Sequence, residues 1–248
     1  MARKPRPSPR RIAAYKNEEF LSSRNARALR ILAEYLEPKS RFEEHGIEDT
    51  IVFFGSARLR EGNRWYEAAR QLAYRLTLWS KELPQSSHRF VVCSGGGPGI
   101  MEAASRGASE ARGLSVGLGI SLPREQHDNV YLTRELGFHF HYFFMRKFWF
   151  AYLAKAVIVF PGGFGTLDEL MEVVTLVQTH KMKKPMPIVL FGAEYWDDVL
   201  NLEAMVQHGT VGPEDLKIMV RTDSVDEAFD WVSAQLLTHA LEKPGAML

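Results

Sequence analysis

The sequence predicts an α/β fold: a doubly wound, mostly parallel sheet with flanking helices and an N-terminal helical extension. Three observations carry this. Short apolar runs rich in β-branched residues alternate along the chain with segments whose apolar residues recur at spacings of three and four, the pattern of buried parallel strands joined by helices. Two of the runs end in glycine-rich turns that open directly into helical pattern: Phe90-Val91-Val92-Cys93 before Ser94-Gly95-Gly96-Gly97-Pro98-Gly99, and Val157-Ile158-Val159-Phe160 before Pro161-Gly162-Gly163-Phe164-Gly165. Finally, 248 residues, 46% hydrophobic and 25% charged, suffice for one such domain with an addition.

Taken in order, residues 1–16 hold six basic side chains and three prolines with little apolar content, as in a disordered basic tail. Residues 17–49 form the helical extension. Leu21, Ala28, Leu29, Leu32, Ala33 and Leu36 share a helix face, and Pro38 is expected to end that helix, leaving a charged linker over 39–48. Residues 50–248 make up a single domain. Its first strand, 50–54, stops at Gly55-Ser56-Ala57-Arg58, and ligands of open α/β sheets bind beyond the carboxyl ends of strands. Gly55 and Ser56 are therefore candidate binding residues; Arg58 reads equally as a ligand contact or a surface charge. A helix over 65–79 leads to a strand at 90–93, and a third strand is expected at 114–120. The stretch 131–140 reads as a strand or as irregular, and 142–154 as a helix. Arg146 and Lys147 lie in this very apolar helix and need partners. After the strand 157–160, a helix is expected from Thr166, with Thr166 as N-cap and Glu169 closing a capping box. A strand at 187–191, a helix at 196–205, a short strand at 217–221 and a helix at 225–241 complete the alternation.

The totals exclude several classes. A formal net charge of +1 gives no preference for nucleic acid or for an anionic membrane surface. The one cysteine, Cys93, lies in an apolar strand, where a buried packing role suits it better than nucleophilic chemistry, and it excludes a disulfide framework. No apolar run reaches the roughly 18 residues of a membrane span. The basic N-terminus lacks the apolar segment of a secretion signal. A cytoplasmic protein is expected. His139 and His141 flank Phe140 without a carboxylate at ligand spacing, so no metal site is expected.

The glycine-rich turns carry the chemistry. Free N–H groups and the positive end of a helix dipole converge where a strand gives way to a helix through such a turn, which favours an anion, most often a phosphate. The first turn is not a P-loop, because no Gly-Lys-Ser/Thr follows, and it matches the dinucleotide pattern only loosely. Two such turns in one chain point to one nucleotide-like ligand held between them.

Pro161-Gly-Gly-Phe-Gly-Thr-Leu-Asp-Glu169 resembles the PGGxGTxxE motif of the Lonely Guy family, often labelled "lysine decarboxylase". Ser94-Gly-Gly-Gly-Pro-Gly-Ile-Met101 resembles its GGGxxGxM loop, and the resemblance spans roughly residues 50–235. It implies a Rossmann-like homodimer, open to further assembly. The implied reaction is hydrolysis of the N-glycosidic bond of a nucleoside 5′-monophosphate, either AMP or a cytokinin riboside 5′-monophosphate. Free base and ribose 5-phosphate would result, with no cofactor. By motif, Arg146 and Glu169 become the catalytic pair. Gly162, Gly163, Gly165 and Thr166 would hold the phosphate with Lys147 beside it. Gly95, Gly96, Gly97, Gly99, Met101, Pro161 and Asp168 would line the substrate site, and Glu125 matches a substrate-contacting glutamate. Family members commonly carry Met-His-x-Arg-Lys where this chain has Phe143-Phe144-Met145-Arg146-Lys147. The Arg-Lys pair survives and the histidine does not. The N-terminal 49 residues are absent from short members.

The chemistry of those residues agrees. Cleaving a ribosyl C–N bond develops oxocarbenium character, which a carboxylate can stabilise while orienting water. An arginine can hold that carboxylate or the phosphate. A pyridoxal-dependent decarboxylase would need a Schiff-base lysine with supporting partners, and only Lys147 or Lys155 could be forced into that role. The alternative on the same fold is a non-catalytic carrier of a nucleotide or of the molybdenum cofactor.

Overall fold

The structure, a computed structural model, describes residues 12–84, 88–120 and 129–245. The seven strands are β1 (Thr50–Phe54), β2 (Val91–Ser94), β3 (Ser115–Ile120), β4 (Gly137–Phe140), β5 (Ala154–Val159), β6 (Ile188–Phe191) and β7 (Met219–Thr222). They form one sheet in the order β4-β3-β2-β1-β5-β6-β7, and every pairing is parallel. The sheet expected to be mostly parallel is thus wholly so among the described residues. The chain winds outward from β1 to β4, then returns beside β1 at β5 and winds the other way. Between β1 and β5 the connections leave in opposite directions, which opens a crevice at the strands' carboxyl ends.

Helices cover both faces. In β1, Ile51 and Phe53 join the core under α3 (Arg64–Glu82), α4 (Ile100–Glu110) and α9 (Val225–His239). Val52 and Phe54 join the opposite core, under α2 (Arg27–Glu44), α5 (Phe143–Leu153) and α6 (Phe164–Gln178). Alternation along a strand sends successive side chains to opposite faces, so a strand buried throughout supplies both cores.

Three expectations are corrected. The helix that Pro38 was to end runs through it to Glu44, with a short α1 (Glu18–Ser22) before it. Proline lacks the N–H that would bond the Glu34 carbonyl; Trp149 Nε1 donates to that carbonyl instead, at 2.9 Å. Most of the charged linker is therefore helix. Next, the helix expected from Thr166 starts at Phe164, with Gly163 at its N-cap and no side-chain cap. Thr166 is buried inside the first turn, and Glu169 turns to another partner. The single helix at 196–205 is two, α7 (Ala193–Val199) and α8 (Leu202–Gln207), separated at Leu200 and Asn201.

At the opposite end of the sheet, Asp49, Arg89 and Lys155 form a buried charge cluster. Arg89 donates to the carbonyls of Ala240 and Leu241, and Lys155 to that of Lys243. The Gly245 N–H donates to Asp49 Oδ1 at 3.1 Å.

Candidate active site

The loops after β1, β2 and β5 meet over the crevice and are laced through their backbones. The Ser56 N–H donates to the Pro161 carbonyl at 3.0 Å, and the Ile100 N–H donates to the Ser56 carbonyl at 3.1 Å. This lacing explains two glycines. A Cβ on Gly55 would lie 2.7 Å from the Ile100 side chain, and one on Gly99 (φ +71°) 2.4 Å from the Ser56 carbonyl oxygen. Gly99 thus serves the packing of one loop on another and does not line the cavity.

The N-terminus of α4 spends its first N–H on that carbonyl, whereas α6 does not. The Phe164, Gly165 and Thr166 N–H groups have no partner among the described residues, and added Cβ atoms at Gly163 and Gly165 would meet open space. Unpaired N–H groups at the positive end of a helix dipole make an anion site. Gly162 is needed there because a Cβ would lie 2.2 Å from Thr166 Oγ1. Tyr195, on α7, donates its hydroxyl to the Gly162 carbonyl at 2.6 Å and braces the loop.

The cavity, about 1280 Å³, is lined by Gly55, Ser56, Gly95, Gly96, Gly97 and Met101, and by Arg146, Pro161, Gly162, Gly163, Gly165, Thr166 and Glu169. Arg58 lines it too, as do Trp65, Asn129, Thr133, His139, Phe143 and Tyr195. Neither Asn129 nor Tyr195 stood out in the sequence, since each is a single polar residue outside any motif. Asn129 is 9% exposed, and its Nδ2 has no partner among the described residues.

At the centre, Arg146 on α5 meets Glu169 on α6, with Nη1 3.3 Å from Oε1. The side chains are only 12% and 13% exposed. Arg146 Nε donates to the Leu118 carbonyl at 2.8 Å, and its guanidinium lies 5.1 Å from the Phe150 ring centre. A Cβ on Gly95 would lie 2.7 Å from an Arg146 nitrogen, so that glycine admits the guanidinium. Burial pushes the Glu169 carboxyl up to about 7; Arg146 opposes the shift and Asp168 adds to it.

Other expected site residues lie elsewhere. Lys147 bonds Asp168 at 2.8 Å and Glu172 at 3.0 Å. Lys147 and Asp168 face an adjoining shallow depression of about 560 Å³ rather than the main cavity. Glu125 lies outside the described residues. Cys93 is buried, which pushes its thiol up. Lys155 is at the far end of the sheet beside Asp49.

A family model described as "Possible lysine decarboxylase" matches residues 101–232. A "Probable cytokinin riboside 5′-monophosphate phosphoribohydrolase" of Oryza sativa subsp. japonica is 27% identical over 193 residues, covering 76% of this chain and 84% of its own. A cytokinin riboside 5′-monophosphate phosphoribohydrolase of Arabidopsis thaliana is 28% identical over 193 residues, covering 77% and 81%. The molybdenum cofactor carrier protein of Chlamydomonas reinhardtii superposes with a TM-score of 0.52 at 17% identity, over 77% of this chain and 99% of that one. At that identity the likeness is one of fold.

Proposed function

The chain belongs to the Lonely Guy family, the family described as "Possible lysine decarboxylase", and we propose that it hydrolyses the N-glycosidic bond of a nucleoside 5′-monophosphate. The substrate is AMP or a cytokinin riboside 5′-monophosphate, and the products are free base and ribose 5-phosphate. The observation that carries the proposal is the buried Arg146–Glu169 pair set between two glycine-rich loops.

The 5′-phosphate binds at the α6 N-terminus, on N–H groups that have no other partner. That contact is remote from the reacting bond, and its binding energy holds the sugar against Glu169. As the C–N bond breaks, positive charge grows at the anomeric carbon. The Glu169 carboxylate stabilises it and orients a water; Arg146 aims the carboxylate and favours its ionised form against the effect of burial. Water oxygen bonds to the anomeric carbon, and a proton from that water ends on the departing base. Among the described residues no lysine lines the cavity, so a Schiff-base decarboxylase has no nucleophile there. The proposal includes a cytoplasmic homodimer. Half-buried Leu167 and Met171 on α6, beside exposed Phe164, give it an apolar face to build on.

The test is release of free base from AMP and from N6-isopentenyl-AMP, followed by chromatography. Wild type releases base, and Glu169→Ala lowers the rate by at least about 100-fold. Tight binding without release would replace the hydrolase with a carrier.

A further inference from the structure

The helix that carries Arg146 has nothing of its own to fix its ends. Its N-cap, Tyr142, makes no side-chain cap, and α5 has no acidic residue in its first turn and no basic residue in its last. Charges from distant parts of the chain hold both ends. At the N-terminus, the Glu34 carboxylate on α2 accepts the His141 N–H at 2.8 Å and the Tyr142 N–H at 3.2 Å. At the C-terminus, buried Lys184 donates to the Ala151 and Tyr152 carbonyls at 2.8 and 2.9 Å. An anion at the first end suits the helix dipole, and so does Lys184 at the last when protonated, its ammonium being pushed down to about 7 by burial.

Glu34 holds α5 a second time. Its backbone carbonyl, released by Pro38, takes the Trp149 indole N–H. Tyr35 stacks on Trp149 with centroids 5.8 Å apart, and Phe42 tilts against it at 5.2 Å. Arg146 lies between these joints, its N–H donating to the Tyr142 carbonyl at 3.2 Å.

Building on the hydrolase reading, we infer that Glu34 is a positioning residue: the N-terminal extension clamps α5 so that Arg146 stays in register with Glu169. The extension then belongs to the working site, although none of its described residues lines the cavity. A displacement of about 1 Å at a reacting group can cost about 100-fold, and either joint is within about one helical turn of Arg146.

Glu34→Ala and Glu34→Gln test this, with Glu43→Ala, on an exposed part of the same helix, as control. Base release, its pH dependence, ribose 5-phosphate binding and hydrogen exchange at the α5 amides are the readouts. In Glu34→Ala, kcat falls about tenfold or more while ribose 5-phosphate affinity stays within about twofold, because the phosphate loop lies elsewhere. The acid limb of the pH profile moves upward, since Arg146 no longer offsets Asp168 and Glu172 at Glu169. The α5 amides exchange faster, Glu34→Gln recovers part of each change, and the control matches wild type. Unchanged kcat and exchange in Glu34→Ala overturn the inference. So does a loss of kcat matched by loss of phosphate binding and a general drop in Tm, which marks plain destabilisation. If wild type releases no base from any nucleotide, the hydrolase reading has failed. Exchange then decides for the clamp alone: faster exchange confined to α5 supports it, and unchanged exchange overturns it.

Discussion

Glu169 couples the chemistry to pH in a direction that can be worked out. Its carboxyl is pushed from 4.5 in the free side chain to about 7 by burial. Between those values the folded protein holds a proton that the unfolded chain has lost, so stability falls as pH rises from about 4.5 to 7 and then levels. Glu169→Gln has no such proton. Its stability relative to wild type should therefore rise over that window, by at most about 3 kcal/mol, read from urea unfolding at several pH values. Activity should move the other way, rising with pH through about 7, because the proposed hydrolysis uses the carboxylate. That Arg146 and Glu169 belong together was legible in the sequence through the motif alone, and in the fold the two side chains meet. Spacing could not have joined residues on different helices, and the one local feature that set Glu169 apart from Glu172, a capping box with Thr166, does not form. Lys147, adjacent to Arg146, was drawn into the site by the same motif. In the fold, residues next to each other on a helix point about 100° apart, and Lys147 faces Asp168 and Glu172 instead.

The elements were legible wherever burial alone decides them. Six strands overlap strands expected from the sequence and β4 lies inside the stretch left open between strand and irregular, although β5 begins at Ala154, three residues ahead of the expected 157–160. Boundaries failed where a distant group overrides a local rule. Pro38 is the plainest case. The rule that proline stops a helix rests on an unpaired carbonyl and a steric clash, and here a tryptophan more than a hundred residues away bonds that carbonyl. Trp149→Phe should leave the Glu34 carbonyl without a donor and cost about 1–3 kcal/mol. Adding Pro38→Ala returns an N–H to that carbonyl, so the double variant should recover part of the loss in thermal or urea unfolding. Additive losses would show that the indole bond and the proline are unrelated. The early start of α6 is local instead: the helix begins at Phe164 with Gly163 at its N-cap and no side-chain cap, and the N–H groups of its first turn are left open as the candidate anion site.

At the scale of the whole molecule, the doubly wound sheet puts the candidate site at one end and a charge cluster at the other. Sequence alternation predicted the layers, but not the cluster, whose members Asp49, Arg89 and Lys155 lie 40 to 106 residues apart. Asp49→Ala removes the buried carboxylate between Arg89 and Lys155, leaving the partly exposed Glu48, 3.8 Å from Arg89, as the remaining carboxylate. It should cost about 3–5 kcal/mol in urea unfolding, far more than an exposed pair such as Lys39–Glu43, worth at most about 1 kcal/mol. The cluster also ties the order of synthesis to the order of assembly. Asp49 precedes the first strand, yet its ring of partners is completed by carbonyls at 240, 241 and 243 and by the Gly245 N–H. A chain emerging from the ribosome can lay down the two glycine-rich loops well before that end of the sheet can close. The stretch from 240 to 245 acts as a fastener, so a protein cut short before residue 240 would expose itself to proteolysis from the end farthest from the candidate site.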